Sequence, residues 1–210
     1  MAAGRAVLTA RLAPAFSDTI DTKLTRYSEA DMTDVVRVSA AEFDELTAHD
    51  ERRFELIDGE VIEMTAPKIK HQLLSGRLYR LIDDLKPDGV VIFAPVDVYL
   101  DEYNILEPDV VWVAANSICK IEVNRLIGAP DLVVEILSPS TAKRDKIDKF
   151  ALYEKHGTRE YWLVDPDHNQ IEVWKRGARG FDWQGLYGVG DSFTSAVLDG
   201  KTVEVAPIFA

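Results

Sequence analysis

The sequence predicts one α/β (α+β) domain in which helices flank a β-sheet, and three observations lead to it. The chain has 210 residues, 47% of them hydrophobic, and no linker-like stretch divides it, so one sizeable core is the default. Runs with strand character alternate with runs whose leucines recur at helical spacing. Two of the strand-like runs, from Glu107 to Val113 and from Pro130 to Pro139, have apolar centres that each carry an acid beside or within them, and the large aliphatics around Glu135 read as a strand buried on both faces.

The elements follow in order. Residues 1 to 38 are expected to form a disordered tail outside the fold, and residues 39 to 210 the domain. The tail begins with Arg5, Arg11 and no acids up to Phe16, which a targeting peptide could share, but Arg11 interrupts the apolar run too early for a secretory core. Ser39 is placed to cap a helix over Ala40 to Ala48, with Glu42 completing a capping box. Phe54 to Ile57 and Val61 to Met64 flank Asp58-Gly59, the dipeptide of a tight hairpin turn. After Pro67, Leu74, Leu78, Leu81 and Leu85 define the apolar side of a helix, and Lys70, Arg77 and Arg80 share another side.

Gly89 opens a strand over Val90 to Ala94, and Val96, Val98 and Leu100 alternate with Asp97 and Tyr99 in the next. With the strand after Pro108 the sheet is four or five strands wide, and Leu132 to Leu137 adds another. Ser138-Pro139-Ser140-Thr141 reads as the cap of a helix running to about His156, ended by Gly157. Tyr161 to Val164, Ile171 to Trp174 and Phe181 to Tyr187 form a closing meander. Trp112, Trp162, Trp174, Tyr161 and Phe181 are expected to pack in the core or a dimer contact rather than stack on bases.

Composition limits function. Lys+Arg number 24 against Asp+Glu 36, a net charge of −12, so the surface as a whole does not attract nucleic acid or anionic membrane. A polyanion partner has to be held by a local basic patch or through cations. Lys70, Arg77 and Arg80, with Lys143, Arg144 and Lys146, are the concentrated basic residues. The single cysteine, Cys119, permits no internal disulfide and fits a reducing, cytoplasmic setting with an idle thiol. No stretch approaches the length of a membrane span.

The chemistry lies in the acids. Glu135 sits inside the aliphatic run Leu132 to Leu137, where an unpaired carboxylate costs several kcal/mol. A metal ion or a lysine would offset that cost. Asp109 opens a separate strand, and the chain between them is long enough to bring the two acids to one point. A divalent cation there favours the doubly ionised state. Oxygen ligands without a Cys or His cluster point to Mg²⁺, with Mn²⁺ able to substitute. Asp131 competes for the first position, but it precedes Glu135 on the same strand by about 13 Å and suits a strand-start hydrogen bond better. Ser138 lacks the surroundings of a nucleophilic serine.

Several segments together resemble one known family: Phe54 to Glu60, His71 at a helix start, Glu107-Pro108-Asp109, Pro130 to Ser140, then Asp145, Lys149 and Tyr153, and Gly157 to Pro166. In this order they are similar to the Uma family of restriction-endonuclease-like proteins, a branch of the PD-(D/E)XK nuclease superfamily. The resemblance runs from about Ser39 to Tyr187.

The resemblance implies a restriction-endonuclease-like fold with a central mixed sheet and a Mg²⁺-dependent endonuclease acting on phosphodiester bonds. Asp109 and Glu135 match the two acids. The superfamily lysine two residues after the second acid is absent, because Leu137 stands there; Lys149 in the following helix is the family's matching lysine and would position the attacking water. Glu60 matches an additional metal-binding acid, and His71 a further site residue. The implied partners are nucleic acid, DNA first, and a second copy of the chain. Two alternatives remain open on the residues: a non-catalytic binding module on the same scaffold, and a hydrolase of RNA or another phosphate substrate.

Overall fold

A computed structural model describes residues 37–86 and 88–210; the tail expected over residues 1 to 38 lies outside them except for Arg37 and Val38. Val38 is already part of the fold. It is buried with Phe43, Phe54, Leu56 and Ile105, and its N–H donates to the Gly59 carbonyl at 2.9 Å.

Helix α1 (Ala40–Thr47) starts where the sequence puts it, with the Ser39–Glu42 capping box formed. Strands β1 (Phe54–Ile57) and β2 (Glu60–Glu63) pair as a hairpin. Asp58 and Gly59 both adopt positive φ, 51° and 82°, as a type I′ turn requires. Helix α2 (Ile69–Leu85) buries Leu74, Leu78 and Ile82, each contributing about 1.5–3 kcal/mol by leaving water. Strands β3 (Gly89–Phe93), β4 (Asp97–Asp101), β5 (Asn104–Leu106), β6 (Val110–Ala114), β7 (Lys120–Ile121), β8 (Arg125–Ile127) and β9 (Leu132–Ile136) follow.

The single sheet expected from the sequence is two. One six-stranded sheet has the order β2-β1-β5-β4-β8-β7, and the other joins β3, β6 and β9 to the closing meander β10 (Glu160–Asp165), β11 (Gln170–Arg176) and β12 (Phe181–Gly188) in the order β12-β11-β10-β9-β6-β3. Two of the changes of sheet, between β3 and β4 and between β5 and β6, fall at Pro95 and Pro108. Neither proline has an N–H to give a ladder, so each is a natural place to leave one. Both sheets are mixed, because β9 pairs parallel with β10 and β4 parallel with β8 among antiparallel neighbours. Strands β13 (Ser192–Ser195) and β14 (Lys201–Glu204) form a separate hairpin, and α5 (Ala206–Phe209) follows.

The layers explain why β9 is aliphatic on both faces. Val134 and Ile136 face a core shared with α2 and the β13–β14 hairpin. Val133 faces the opposite core, which includes Val98, Leu106 and Leu126 from the first sheet. Glu135 alternates onto that second face, at the seam where the two sheets meet.

The helix expected from Ser138 to His156 is present but interrupted. A turn α3 (Ala142–Arg144) runs into a π-helical turn over Asp145–Lys149 and then α4 (Phe150–His156), which Gly157 ends with φ of 100°. In a regular helix the spacing of Lys146, Lys149 and Tyr153 would set them along one stripe. Here Lys146 is exposed, whereas Lys149 and Tyr153 are buried, because a π turn closes i→i+5 and shifts the helical phase. Cys119 is buried, its thiol pushed up to about 11 by that burial and by Asp131. Among the described residues no helix is long and apolar enough to cross a membrane.

Candidate active site

Three acids and one lysine converge at the seam, with a fourth acid, Asp109, at its outer side. Glu55 comes from β1 of the first sheet, Glu135 from β9 of the second, and Asp145 and Lys149 from the π turn between them. Lys149 Nζ lies 2.7 Å from Glu55 Oε1, 3.1 Å from Glu135 Oε1 and 3.6 Å from Asp145 Oδ1. All four side chains are buried, at 1–3% exposure. Tyr153 closes the floor, with its hydroxyl 3.5 Å from Glu135 Oε1, and the Tyr161 hydroxyl donates to the Asp145 carbonyl at 2.9 Å.

Asp109 and His71 stand at the outer side, partly open to solvent. Asp109 Oδ2 accepts the Ile136 N–H at 2.6 Å and lies 3.2 Å from His71 Nε2. That hydrogen bond ties the start of β6 to the end of β9, so Asp109 and Glu135 are held at the same end of their strands. Burial alone would lower the His71 pKa, but the Asp109 carboxylate outweighs it and the net shift is upward.

The electrostatics leave negative charge in excess. Burial is the largest influence on Glu135, which sits well above the usual carboxylate range despite Lys149; Asp145, Asp109 and Glu55 add to the rise. Asp145 is raised for the same leading reason. Burial would strip the proton from Lys149, but Glu135, Glu55 and Asp145 outweigh it and keep the ammonium charged. One ammonium cannot neutralise four carboxylates, so a proton or a second cation completes the balance. Asp145 Oδ1 is buried without a hydrogen-bond partner, although the charged lysine lies nearby.

The described residues include no ready set of three His, Cys, Asp or Glu side chains arranged around a vacant metal position. As donors, however, the residues fit a hard divalent ion: they are oxygen ligands carrying surplus charge, one with an orphaned oxygen. Other buried acids differ. Glu160 accepts from Trp162, Ser195 and Val197, and Asp131 accepts the Ala114 N–H at 2.9 Å and pairs with Arg159, the strand-start role expected of it. These two are satisfied by donors and belong to the scaffold.

Of the residues singled out by sequence, Asp109, Glu135, Lys149 and His71 are brought together. Glu60 is not. It pairs with Ile57 across the hairpin and so shares a face with Glu55, but it is exposed two residues nearer the turn. Glu55 was missed. Its readable signal was the one shared with Glu135, a carboxylate inside an aliphatic strand. Glu107, of the Glu107-Pro108-Asp109 segment, donates its N–H to Glu55 Oε1 at 3.0 Å and pairs with Arg53. Burial raises its carboxyl to about 7, with Arg53 opposing. Beyond it lies an open cleft of about 350 Å³ bordered by Arg53, Phe54, Asp97 and Glu107, which adjoins the cluster but holds none of its side chains.

The basic helix faces are also placed. Lys70 donates to the Pro166 carbonyl and Arg77 to the Ile208 carbonyl at 3.3 Å, so both are tied to the scaffold. Arg144 points toward the cluster, 3.9 Å from Glu55 Oε2.

Comparison with known proteins bears on the fold and the family. A crystal structure from Anabaena variabilis, titled a putative nuclease belonging to DUF820, is similar with a TM-score of 0.67 at 20% identity, covering 82% of this chain and 97% of that one. At that identity the likeness establishes the fold, which is restriction-endonuclease-like. No curated protein matches the chain. The family model described as "Putative restriction endonuclease" matches residues 40–202, a span that contains both sheets' site residues, and the chain therefore belongs to the Uma2 family.

Proposed function

We propose that this protein is an endonuclease that hydrolyses phosphodiester bonds of nucleic acid with a divalent metal ion, Mg²⁺ or Mn²⁺, at the seam between its sheets. The observation that carries this reading is the buried cluster itself. Glu55, Glu135 and Asp145 surround Lys149 behind Asp109 at the open side, an arrangement whose desolvation a folded domain without chemistry to perform has little reason to bear.

Asp109 and Glu135 would hold the ion, and Glu55 takes the additional acid's place that sequence assigned to Glu60. When bound, the ion supplies Lewis acidity at the phosphoryl oxygens and a lower pKa for water. Lys149 is charged, and with Glu55 and Glu135 taking two of its N–H groups, the third would orient a water or a phosphoryl oxygen. His71, held by Asp109, carries a proton more readily than a free imidazole and would give it to the leaving group. DNA is the first substrate to test, and a homodimer the expected assembly.

The test is cleavage of circular and linear DNA and of RNA with Mn²⁺ or Mg²⁺, comparing wild type with Glu135→Gln. Metal-dependent cutting that the variant loses supports the assignment. A second reading rests on one observation: the Lys149 ammonium occupies the centre of the acids. If neither ion binds and nothing is cut, that ammonium is the permanent occupant and the domain is a non-catalytic binding module.

A further inference from the structure

The outer surface beside the π turn carries a feature that the metal cluster does not use. Trp112 and Trp162 are buried, but Trp183 is 60% exposed, and Leu186 and Ile147 are 53% and 55% exposed. These three form one surface. Trp183 pairs with Trp174, and Leu186 with Glu172, across β11 and β12, and cross-strand partners share a face. Lys146 Nζ reaches Glu172 Oε2 at 3.6 Å, and the Trp174 ring meets Phe150 edge-on at 4.9 Å. The helix bearing Lys146, Ile147 and Phe150 therefore lies against the same face of the sheet.

We propose that Trp183, Leu186 and Ile147, bordered by Lys143 and Lys146, form a binding surface for the unpaired bases of a single nucleic-acid strand. This rests on the reading that the protein acts on nucleic acid. An indole offers a π face that stacks on any base, and bases expose their faces only where they are not already stacked in a duplex. The backbone requires cations, which a chain of net charge −12 provides only locally. Lys143 and Lys146 are exposed, and among the described residues no ion pair engages Lys143. The platform is rigid, because Trp174 beneath it is fixed by Phe150 and by an Nε1 hydrogen bond to Glu172 at 3.1 Å. Leu186, Glu172, Leu163 and Glu135 are successive cross-strand partners from β12 to β9, so a strand held here lies in line with the cluster. The substrate class this implies is a strand with a single-stranded segment, such as an overhang, flap or loop.

The test uses the whole protein in chelator, so that binding is read without cleavage. A short labelled oligothymidylate and a hairpin duplex of equal length are compared by anisotropy and by tryptophan emission. The single strand should bind more tightly and quench the emission. Trp183→Ala should weaken that binding about 5- to 160-fold, the range for loss of one stacking partner, and remove the quench, whereas Trp183→Phe should keep most of the affinity. Lys143→Gln with Lys146→Gln should lower the salt slope by about 1.4.

Unchanged affinity and quench in Trp183→Ala would overturn the proposal, as would tighter binding of the duplex. So would sedimentation showing that Trp183→Ala only dissolves a dimer, which would give this surface to a second copy of the chain. The two readings separate cleanly. Binding through Trp183 with no cleavage under any metal upholds the surface and refutes the nuclease; cleavage of single strands that is indifferent to Trp183→Ala refutes the surface alone.

Discussion

Lys149 donates to Glu55 across the seam between the two sheets at 2.7 Å, and the same Glu55 oxygen accepts the Glu107 N–H at 3.0 Å. One carboxylate thus joins the hairpin, the π turn and the segment that carries Asp109. Glu55 is a shared support, and the site stands or falls with it.

Lys149→Met is expected to do two things at once. Removing one partner from a buried ion cluster costs about 3–5 kcal/mol, so the urea midpoint should drop. Cleavage should fall at least ~100-fold, the effect of losing one preorganised charge contact, while Mn²⁺ affinity is retained. Adding Glu55→Gln should recover part of the lost stability, because it removes a carboxylate left without its counter-ion. A double variant no more stable than Lys149→Met would sever the link between these two residues.

Mn²⁺ should raise the melting temperature of the wild type and leave Asp109→Asn unmoved, since an ion that binds only the folded chain stabilises it, by about 2.7 kcal/mol at a hundredfold excess over Kd. An equal rise in both proteins would place the ion elsewhere.

Glu107 predicts a pH effect of definite sign. Its carboxyl is raised from 4.5 to about 7, so the folded chain holds that proton more tightly than the unfolded one. The stability this contributes is full below pH 4.5 and is lost as pH rises through about 7. Glu107→Gln should therefore flatten the decline between those limits. Glu135 and Asp145 act in the same direction, so the decline should shrink rather than vanish. A slope identical to wild type in urea titrations at several pH values would contradict this.

Glu160 supplies the contrasting case of a buried acid with a purely structural task. It accepts from Ser195 Oγ at 3.0 Å and from the Val197 N–H at 3.2 Å, anchoring the β13–β14 hairpin. Glu160→Ala should destabilise the protein by about 1–3 kcal/mol, by stranding those donors, and leave the cleavage rate of the folded fraction unchanged. Loss of specific activity without loss of stability would move Glu160 into the site.

Much of the fold was legible because its signals are local. The Ser39–Glu42 capping box, the Asp58-Gly59 turn and the leucine spacing of α2 are each decided by a few neighbouring residues. The division into two sheets was not, because it depends on which strands meet across the chain, and Pro95 and Pro108 mark two of the crossings only once both sheets are known. The site divides the same way. Glu135 announced itself by being an acid in an aliphatic strand, and Lys149 and His71 came from resemblance. Glu55 carried the same signal as Glu135, but it sits in a short strand that reads equally well as half-exposed, and its burial is created by Lys149 arriving from far along the chain. Glu60, the neighbouring acid, was the better match to the pattern and the poorer match to the geometry.

The π turn over Asp145–Lys149 is where this helix takes up one residue more than a regular helix would hold. Its five residues occupy a wider turn than an α-helix would use. Deleting one of them, such as the exposed Asp148, would let the segment close as a regular helix with α3 and α4 in their present phase. A deletion inside α4 before Tyr153 has no such outlet and would turn its two sides by about 100° relative to each other. Tyr153 would then be carried away from Glu135 while every catalytic residue type was still present. Change of length by one residue is thus open at the π turn and closed in the helix after it, while substitution on the outer face stays open, and the surface there is free to vary with what the protein binds.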